Sequence, residues 1–380
     1  MKINYTERIF GLDLMRTAAI LFVVFSHALW IFPEASGAMI DLLRLMGVMG
    51  VEIFFVLSGF LIGRILFRIF TASDYTYKDL HYFLIRRWFR TLPNYYFALI
   101  INIGIVLYFG RELPDTLLSY FFFLQNATEG MDIFFTESWS LPIEEFAYIL
   151  GPFLFFLLLF FNTGIPRQKG FLLVTVFILL FFIGTKMYYA YTTTAGDMTQ
   201  WNIELKAVVL YRIDAIYYGV LAAYISLIKK DRWKRYKNQL LVTGLFGFLF
   251  LHFSIPKFGL YIEDFPFFWN VLYLPFCSVC IAMALPFLSL WKTASPVLLK
   301  PVTLISLISY SMYLLHYSII LQLMRYFQPI ELLDFRQKIF FSTVYVILTI
   351  LFSYFLYRVY EKPIMDIRDK PFFKRKIAKV

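Results

Sequence analysis

The sequence predicts an all-α fold, a polytopic bundle of transmembrane helices that occupies the whole chain as one domain. Three observations predict it. First, 60% of the 380 residues are apolar or aromatic and only 16% are charged, against about 45–50% and about 25% in soluble domains. Second, the apolar residues are gathered into runs of the length that crosses a bilayer as a helix, about 20 residues. Third, the net charge of +11 comes from basic residues clustered between the runs, as the positive-inside rule requires. Together these exclude a soluble enzyme, a disordered chain and a disulfide scaffold. The membrane also accounts for the basic balance, so nucleic acid is not expected as a partner. The two cysteines, Cys277 and Cys280, form one C-x-x-C within an apolar run and read as small core residues.

Eleven apolar stretches follow one another, at 10–32, 46–70, 92–110, 114–126, 139–163, 171–190, 207–228, 240–255, 267–291, 301–324 and 338–359. The first begins after Lys2 and Arg8 as a signal peptide would. Arg16 interrupts its apolar region, however, and no small-residue cleavage site follows, so it is kept as a span. The fourth is too short for a span. Pro93 suits the first turn of the third.

Charge fixes the expected orientation. The segment 229–237 is the densest basic loop and is placed in the cytoplasm, as are the basic tail at 361–380, the N-terminus and the loop 72–90. Counting back puts 164–170 inside and 127–138, with Glu129, Asp132 and Glu137, outside. Both flanks of 114–126 then lie outside, and it reads as a re-entrant or interfacial helix. About ten spans remain, with both termini cytoplasmic. Of the 36 Lys and Arg, 26 fall on the inner side and 7 on the outer. No internal repeat or soluble domain interrupts the chain.

Ionisable residues inside a span are costly and mark function by default. In the first span, Arg16 and His27 are 11 residues apart, three turns plus about 20°, so they share one face about 16 Å apart along the axis. Asp13 lies one turn before Arg16 and can pair with it. In the second span, Glu52 precedes Phe54-Phe55-Val56-Leu57-Ser58-Gly59-Phe60, where small Ser58 and Gly59 permit close helix approach. Glu52 and His27 both fall in the outer half of their spans, so a carboxylate and an imidazole are expected in one cavity, as in an activated general base.

Further along, Arg86-Arg87-Trp88-Phe89-Arg90 places three arginines within five positions. Their sign obeys the positive-inside rule, but guanidinium is also the preferred partner of phosphate, and lipid headgroups compete for the same chemistry. The fifth span starts Trp139-Ser140-Leu141-Pro142-Ile143-Glu144-Glu145. Carboxylates suit a first helical turn, and one of Glu144 and Glu145 is expected to face the cavity. Arg212 and Asp214 open a later span, and His316 follows Tyr313 at mid-membrane. For His316 a core hydrogen bond and a place in the active cavity stand as equal readings. No metal-ligand spacing, Walker A or G-x-S-x-G is present.

Taken together, Arg16-x10-His27, F-F-x-x-S-G-F at 54–60, R-x-x-R at Arg87 and Arg90, W-S-L-x-x-E at Trp139–Glu144, R-x-D at 212–214, S-x-Y-L-x-H at Ser311–His316 and Glu361-Lys362-Pro363 resemble the acyltransferase-3 family of integral membrane acyltransferases. The motifs keep the family order over residues 12–363. Position 52 carries Glu where the family often has Asp. The resemblance implies a bundle of about ten spans in a bacterial inner or plasma membrane. It also implies transfer of an acyl group, usually acetyl from acetyl-CoA, to a hydroxyl of a cell-surface polysaccharide, lipopolysaccharide or lipid-linked glycan. Acyl-CoA is then a co-substrate, and no bound cofactor or metal is expected. Some relatives carry a fused SGNH-type domain. This chain, ending about 20 residues after its last span, resembles the stand-alone members, so any extracytoplasmic transferase would be a separate protein.

On this reading Arg86, Arg87 and Arg90 bind the CoA phosphates, and Arg16 meets the thioester arm or a phosphate. His27, oriented by Glu52 or Glu144, deprotonates the acceptor hydroxyl or carries the acyl group itself. Ser58, Trp139, Ser140, Glu145, Arg212, Asp214 and His316 are the remaining cavity candidates. A transporter or flippase for a lipid-linked or anionic solute is the alternative, because transport pathways also use intramembrane charge. A membrane scaffold leaves the buried ionisable groups without a reason.

Overall fold

In the computed structural model the chain is described over residues 8–73, 76–161, 164–193 and 196–368. Within these, nine helices are long and apolar enough to cross a bilayer and a tenth is shorter. Helix is the form expected of apolar runs, because it satisfies every backbone polar group within the segment where no water is available. The spans are α1 (Phe10–Ile31), α2 (Ala38–Thr71), α3 (Lys78–Tyr108), α4 (Thr136–Phe160), α5 (Arg167–Thr192), α6 (Asp214–Ile228), α7 (Lys237–Phe258), α8 (Phe268–Leu290), α9 (Pro296–Phe327) and α10 (Phe335–Arg368). The fold class agrees with the sequence; among the described residues nine helices reach the length of a span where about ten were expected, and α6, with 15 residues, is the shorter one. Most of the basic tail lies outside the described residues.

At the centre, α2 packs against α1 on one side and α6 on the other. The α2–α6 crossing depends on two glycines. A Cβ at Gly59 would fall inside the van der Waals limit of the Ile216 carbonyl, and one at Gly219 would do the same to Val56. Small residues that let backbones touch are the usual device of helix packing in lipid. At the other extreme, only 6% of the apolar window of α7 is buried, so this helix lies at the rim, where its apolar side chains face lipid.

Two local expectations are corrected. The Arg86–Arg90 cluster is not in a loop. Thr76 caps α3 with Asp79 in a reciprocal capping box, and the helix runs unbroken past Pro93, which sits in its interior rather than its first turn. A proline that would break a soluble helix is tolerated in a spanning helix where neighbours re-satisfy the backbone. Tyr360 also donates to the Pro93 carbonyl at 3.3 Å, tying this part of α3 to α10. The stretch 114–126 contains only the five-residue helix Leu117–Phe121, about 7.5 Å long and too short to cross.

Beyond it the chain interlocks with the segment before α6. The amides of Val209 and Leu210 donate to the carbonyls of Asn126 and Ala127 at 2.9 and 3.1 Å. The buried Asn126 amide group donates to the carbonyls of Trp139 and Ala207. This pins the start of α4 to the 202–211 segment.

Candidate functional site

A cavity of about 490 Å³ lies between α1, α2, α3, α4 and α9. On α2 its lining follows one helical face, through Val51, Phe55, Ser58, Ile62 and Ile65 to Arg68, as spacings of three and four dictate. Five guanidinium groups reach it: Arg16 from α1, Arg64 and Arg68 from α2, Arg87 and Arg90 from α3. Of these, Arg16 has Asp13 at 3.8 Å and Ser306 Oγ at 3.3 Å. Asp13 has a closer partner, Arg8 Nε, at 2.7 Å. Arg87 lies over the Tyr148 ring, 4.3 Å from its centroid. Glu144 faces this cavity, its carboxylate accepting from Ser58 Oγ at 3.0 Å and Tyr148 OH at 2.8 Å. At the far end, Ser140 and Tyr313 join their hydroxyls at 2.7 Å.

A second cavity, of about 910 Å³, lies at the other end of α3. Arg90 lines the first and Val106 the second, 16 residues and about 24 Å apart on one helix. The second is polar, with Arg111, Glu112, Asp132 and Arg325 beside the aromatic rings of Tyr317 and Tyr326. Tyr326 packs on Phe109 with centroids 3.8 Å apart.

Between the two cavities sit two histidines. His27 Nδ1 and His316 Nε2 are 3.1 Å apart. Tyr313, a lining residue of the first cavity, packs on His316 with centroids 5.8 Å apart. Tyr317, a lining residue of the second, packs on His27 at 4.8 Å. Their carbonyl partners assign the protons. His316 Nδ1 is 2.8 Å from the Tyr313 carbonyl and His27 Nδ1 is 3.0 Å from that of Val23. A carbonyl only accepts, so both Nδ1 atoms carry hydrogen. In the neutral rings the one hydrogen of His27 Nδ1 is then shared between the Val23 carbonyl and His316 Nε2, both acceptors, and His27 Nε2 holds a bare lone pair. The backbone that places His316 is a π-helical turn, His316–Leu321, a local departure from α-helix frequent at functional sites.

The structure brings some of the expected residues together and separates others. Arg16, Ser58, Arg87, Arg90, Ser140 and Glu144 share the first cavity; His316 is fully buried, contacts both the Tyr313 carbonyl and His27, and like His27 lines neither cavity. Glu52 does not meet His27. Its carboxylate is fully buried and pairs with Arg212, with Ser278 Oγ at 3.3 Å. A buried carboxylate is stable only when a cation compensates it, and Arg212, two residues before α6 begins, supplies that cation. Asp214 pairs with Lys186 of α5. Thus Arg212 and Asp214 belong to a buried charge cluster rather than to the cavity. Glu145 turns away from Glu144 and accepts from Thr91 Oγ1 at 2.8 Å. Arg86 donates to Tyr82 OH at 3.0 Å and is not among the lining residues. Trp139 stands edge-on to Phe55 with centroids 6.0 Å apart.

Several residues at the site escape the sequence reading. Arg64 and Arg68 follow Ser58 by 6 and 10 residues, about 240° and 280° around the helix, so the Ser58 face alone does not point to them. Lys206, from the 202–211 segment, lies over the Trp139 ring with Nζ 4.9 Å from its centroid. Burial lowers its ammonium from 10.5 to about 8, with Glu52 opposing the shift and Arg212 adding to it. Glu137, behind the second cavity, accepts from both the amide and the hydroxyl of Ser318, at 3.2 and 2.7 Å. No periodicity announces either residue, because each meets the site across a fold contact.

Comparison with known proteins gives a consistent result. A family model described as an acyltransferase domain matches residues 9–358. The chain is 27% identical over 389 residues to the O-acetyltransferase OatA of Staphylococcus aureus, an alignment covering 95% of this chain and 58% of that protein. It is 29% identical over 214 residues to the peptidoglycan O-acetyltransferase OatA of Listeria monocytogenes, covering 50% of this chain and 32% of that protein. The chain thus spans less than two thirds of the length of these relatives. No solved structure matches.

Proposed function

The chain belongs to the acyltransferase-3 family, and from that premise we propose that it is a multi-pass O-acyltransferase of a bacterial inner membrane, moving acetyl from acyl-CoA to a hydroxyl of a cell-envelope glycan. One observation carries the reading. Two cavities at opposite ends of α3 approach a single histidine pair, one lined by five arginines and the other by mixed polar and aromatic groups. The arginine end faces the cytoplasm in this account, in keeping with the basic loops. It takes the phosphates of acyl-CoA, since guanidinium forks hold phosphate oxygens in pairs. The other cavity takes the glycan, whose apolar ring faces suit Tyr317 and Tyr326 and whose hydroxyls suit the surrounding carboxylates. The names of the relatives point to peptidoglycan as the acceptor class.

The chemistry follows from the proton assignment. His27 Nε2 withdraws the proton of the acceptor hydroxyl as its oxygen attacks the thioester carbonyl. The new C–O bond forms, the C–S bond breaks, and the departing CoA sulfur takes the proton back from His27. His316 holds His27 in the competent tautomer through the Nδ1 contact, the role of an orienting partner. Glu144, fixed by Ser58 and Tyr148, is positioned to hold Arg87 and the thioester arm rather than to touch His27.

The purified protein, reconstituted with acetyl-CoA and a peptidoglycan fragment, tests this. Release of free CoA coupled one-to-one to an ester on the fragment is expected. Movement of a lipid-linked solute across the membrane with no thioester cleavage would instead identify a flippase.

A further inference from the structure

The five arginines of the first cavity stand in two tiers along α2. Arg16, Arg87 and Arg90 are grouped with the Ser58–Glu144 hydrogen bond, and Arg16 is about 16 Å from His27 along α1. Arg64 and Arg68 are 6 and 10 residues past Ser58, about 9 and 15 Å further toward the end of α2. Arg64 is half-buried and Arg68 exposed. Among the described residues, no carboxylate lies within 4 Å of either. They are one turn apart, where like charges repel, and Arg64 is held over the Phe60 ring at 5.6 Å. Two guanidinium groups kept side by side without a counter-ion at the mouth of a cavity form a receptor for a second phosphate.

We propose that Arg64 and Arg68 bind the ribose 3′-phosphate of acyl-CoA and select CoA thioesters over donors that lack this group. The inference rests on the donor reading above and extends it. Along acyl-CoA the order is thioester, pantetheine arm, diphosphate, then ribose with its phosphomonoester. Along the protein the order is histidine pair, cavity, inner arginine tier, rim arginine tier. A phosphomonoester carries close to two charges and three acceptor oxygens, enough for two bidentate guanidinium partners. A lipid headgroup offers the same phosphate chemistry from the bilayer, and the experiment separates the two sources.

Turnover is measured with acetyl-CoA and with acetyl-dephospho-CoA, which lacks only the 3′-phosphate. The assay uses wild type and the Arg64→Gln/Arg68→Gln double variant in nanodiscs of neutral or anionic lipid. Wild type is expected to use the dephospho donor about tenfold to a hundredfold less well, the worth of one or two charge-assisted hydrogen bonds, with the loss in KM. The double variant is expected to use both donors equally, near the wild-type rate with the dephospho donor. Equal use of the two donors by wild type, which requires no variant to fold, overturns the rim assignment alone. Discrimination that survives in the double variant does the same. A wild-type rate that depends on anionic lipid and ignores the 3′-phosphate assigns the rim to headgroups. Absence of thioester cleavage with either donor, in a preparation that still esterifies its glycan, overturns the donor reading together with this inference.

Discussion

Replacing Glu52 distinguishes a structural carboxylate from a catalytic one. Its side chain and that of Arg212 are both essentially inaccessible, at 0% and 1% exposure. Arg212 Nε has no hydrogen-bond partner, and among the described residues Glu52 is the only carboxylate that forms an ion pair with this guanidinium. Glu52→Ala leaves the charge buried and unpaired, which costs about 3–5 kcal/mol. That is a large share of the usual stability of about 5–15 kcal/mol. Removing both charges together is different, because a buried pair replaced by apolar side chains of similar volume is about neutral. The account therefore predicts that Glu52→Ala and Arg212→Ala both unfold at markedly lower temperature in detergent. It predicts that Glu52→Met/Arg212→Met recovers the wild-type midpoint and acetylates at a normal rate per folded molecule. Size-exclusion profiles after heating give the folded fraction, and CoA release gives turnover. A double variant that folds normally and does not turn over would put the Glu52 carboxylate in the chemistry and refute the reasoning.

Three further outcomes are expected. Gly59→Ala forces α2 and α6 apart and lowers the yield of folded protein, whereas Gly104→Ala, where an added Cβ meets nothing within 4 Å, leaves it unchanged. Equal yields would mean that the crossing is not tight. Raising the pH through about 8 discharges Lys206 over Trp139 and shifts the tryptophan fluorescence with a midpoint near 8. Because the folded value lies below the unfolded 10.5, stability rises over the same interval and up to 10.5. Lys206→Met abolishes the fluorescence transition, and its persistence in that variant would assign it elsewhere. Single cysteines within 232–237 and 165–169 are predicted to be protected from an impermeant thiol reagent in intact cells, with one at Glu129 labelled. External labelling at 232–237 would invert the orientation.

The spans were legible because each is a continuous apolar run, and burial in lipid depends on little else. The Arg16–His27 spacing was legible because it is a property of one helix, and a cavity carboxylate at Glu144 or Glu145 was legible near the start of α4, the structure selecting Glu144. What the sequence could not supply is which helix stands opposite which. Glu52 and His27 share a depth and were expected to meet, yet the Gly59–Gly219 contact brings α6 against α2 and delivers Arg212 to Glu52 instead. His316 reached His27 for the converse reason: α9 packs on α1, and the π-helical turn sets its register. Arg86 was grouped with Arg87 and Arg90 by adjacency. On a helix, adjacent residues point about 100° apart, so only the other two reach the cavity.

The central claim is that His27 performs the proton transfer between two cavities. Its most direct measurement is acetyl transfer to a peptidoglycan fragment by purified His27→Ala protein that elutes as wild type does. A general base contributes about 10²–10⁴-fold, so the account predicts a rate reduced by at least about a hundredfold, with acetyl-CoA still bound at wild-type affinity. Transfer by that variant at the wild-type rate would contradict it.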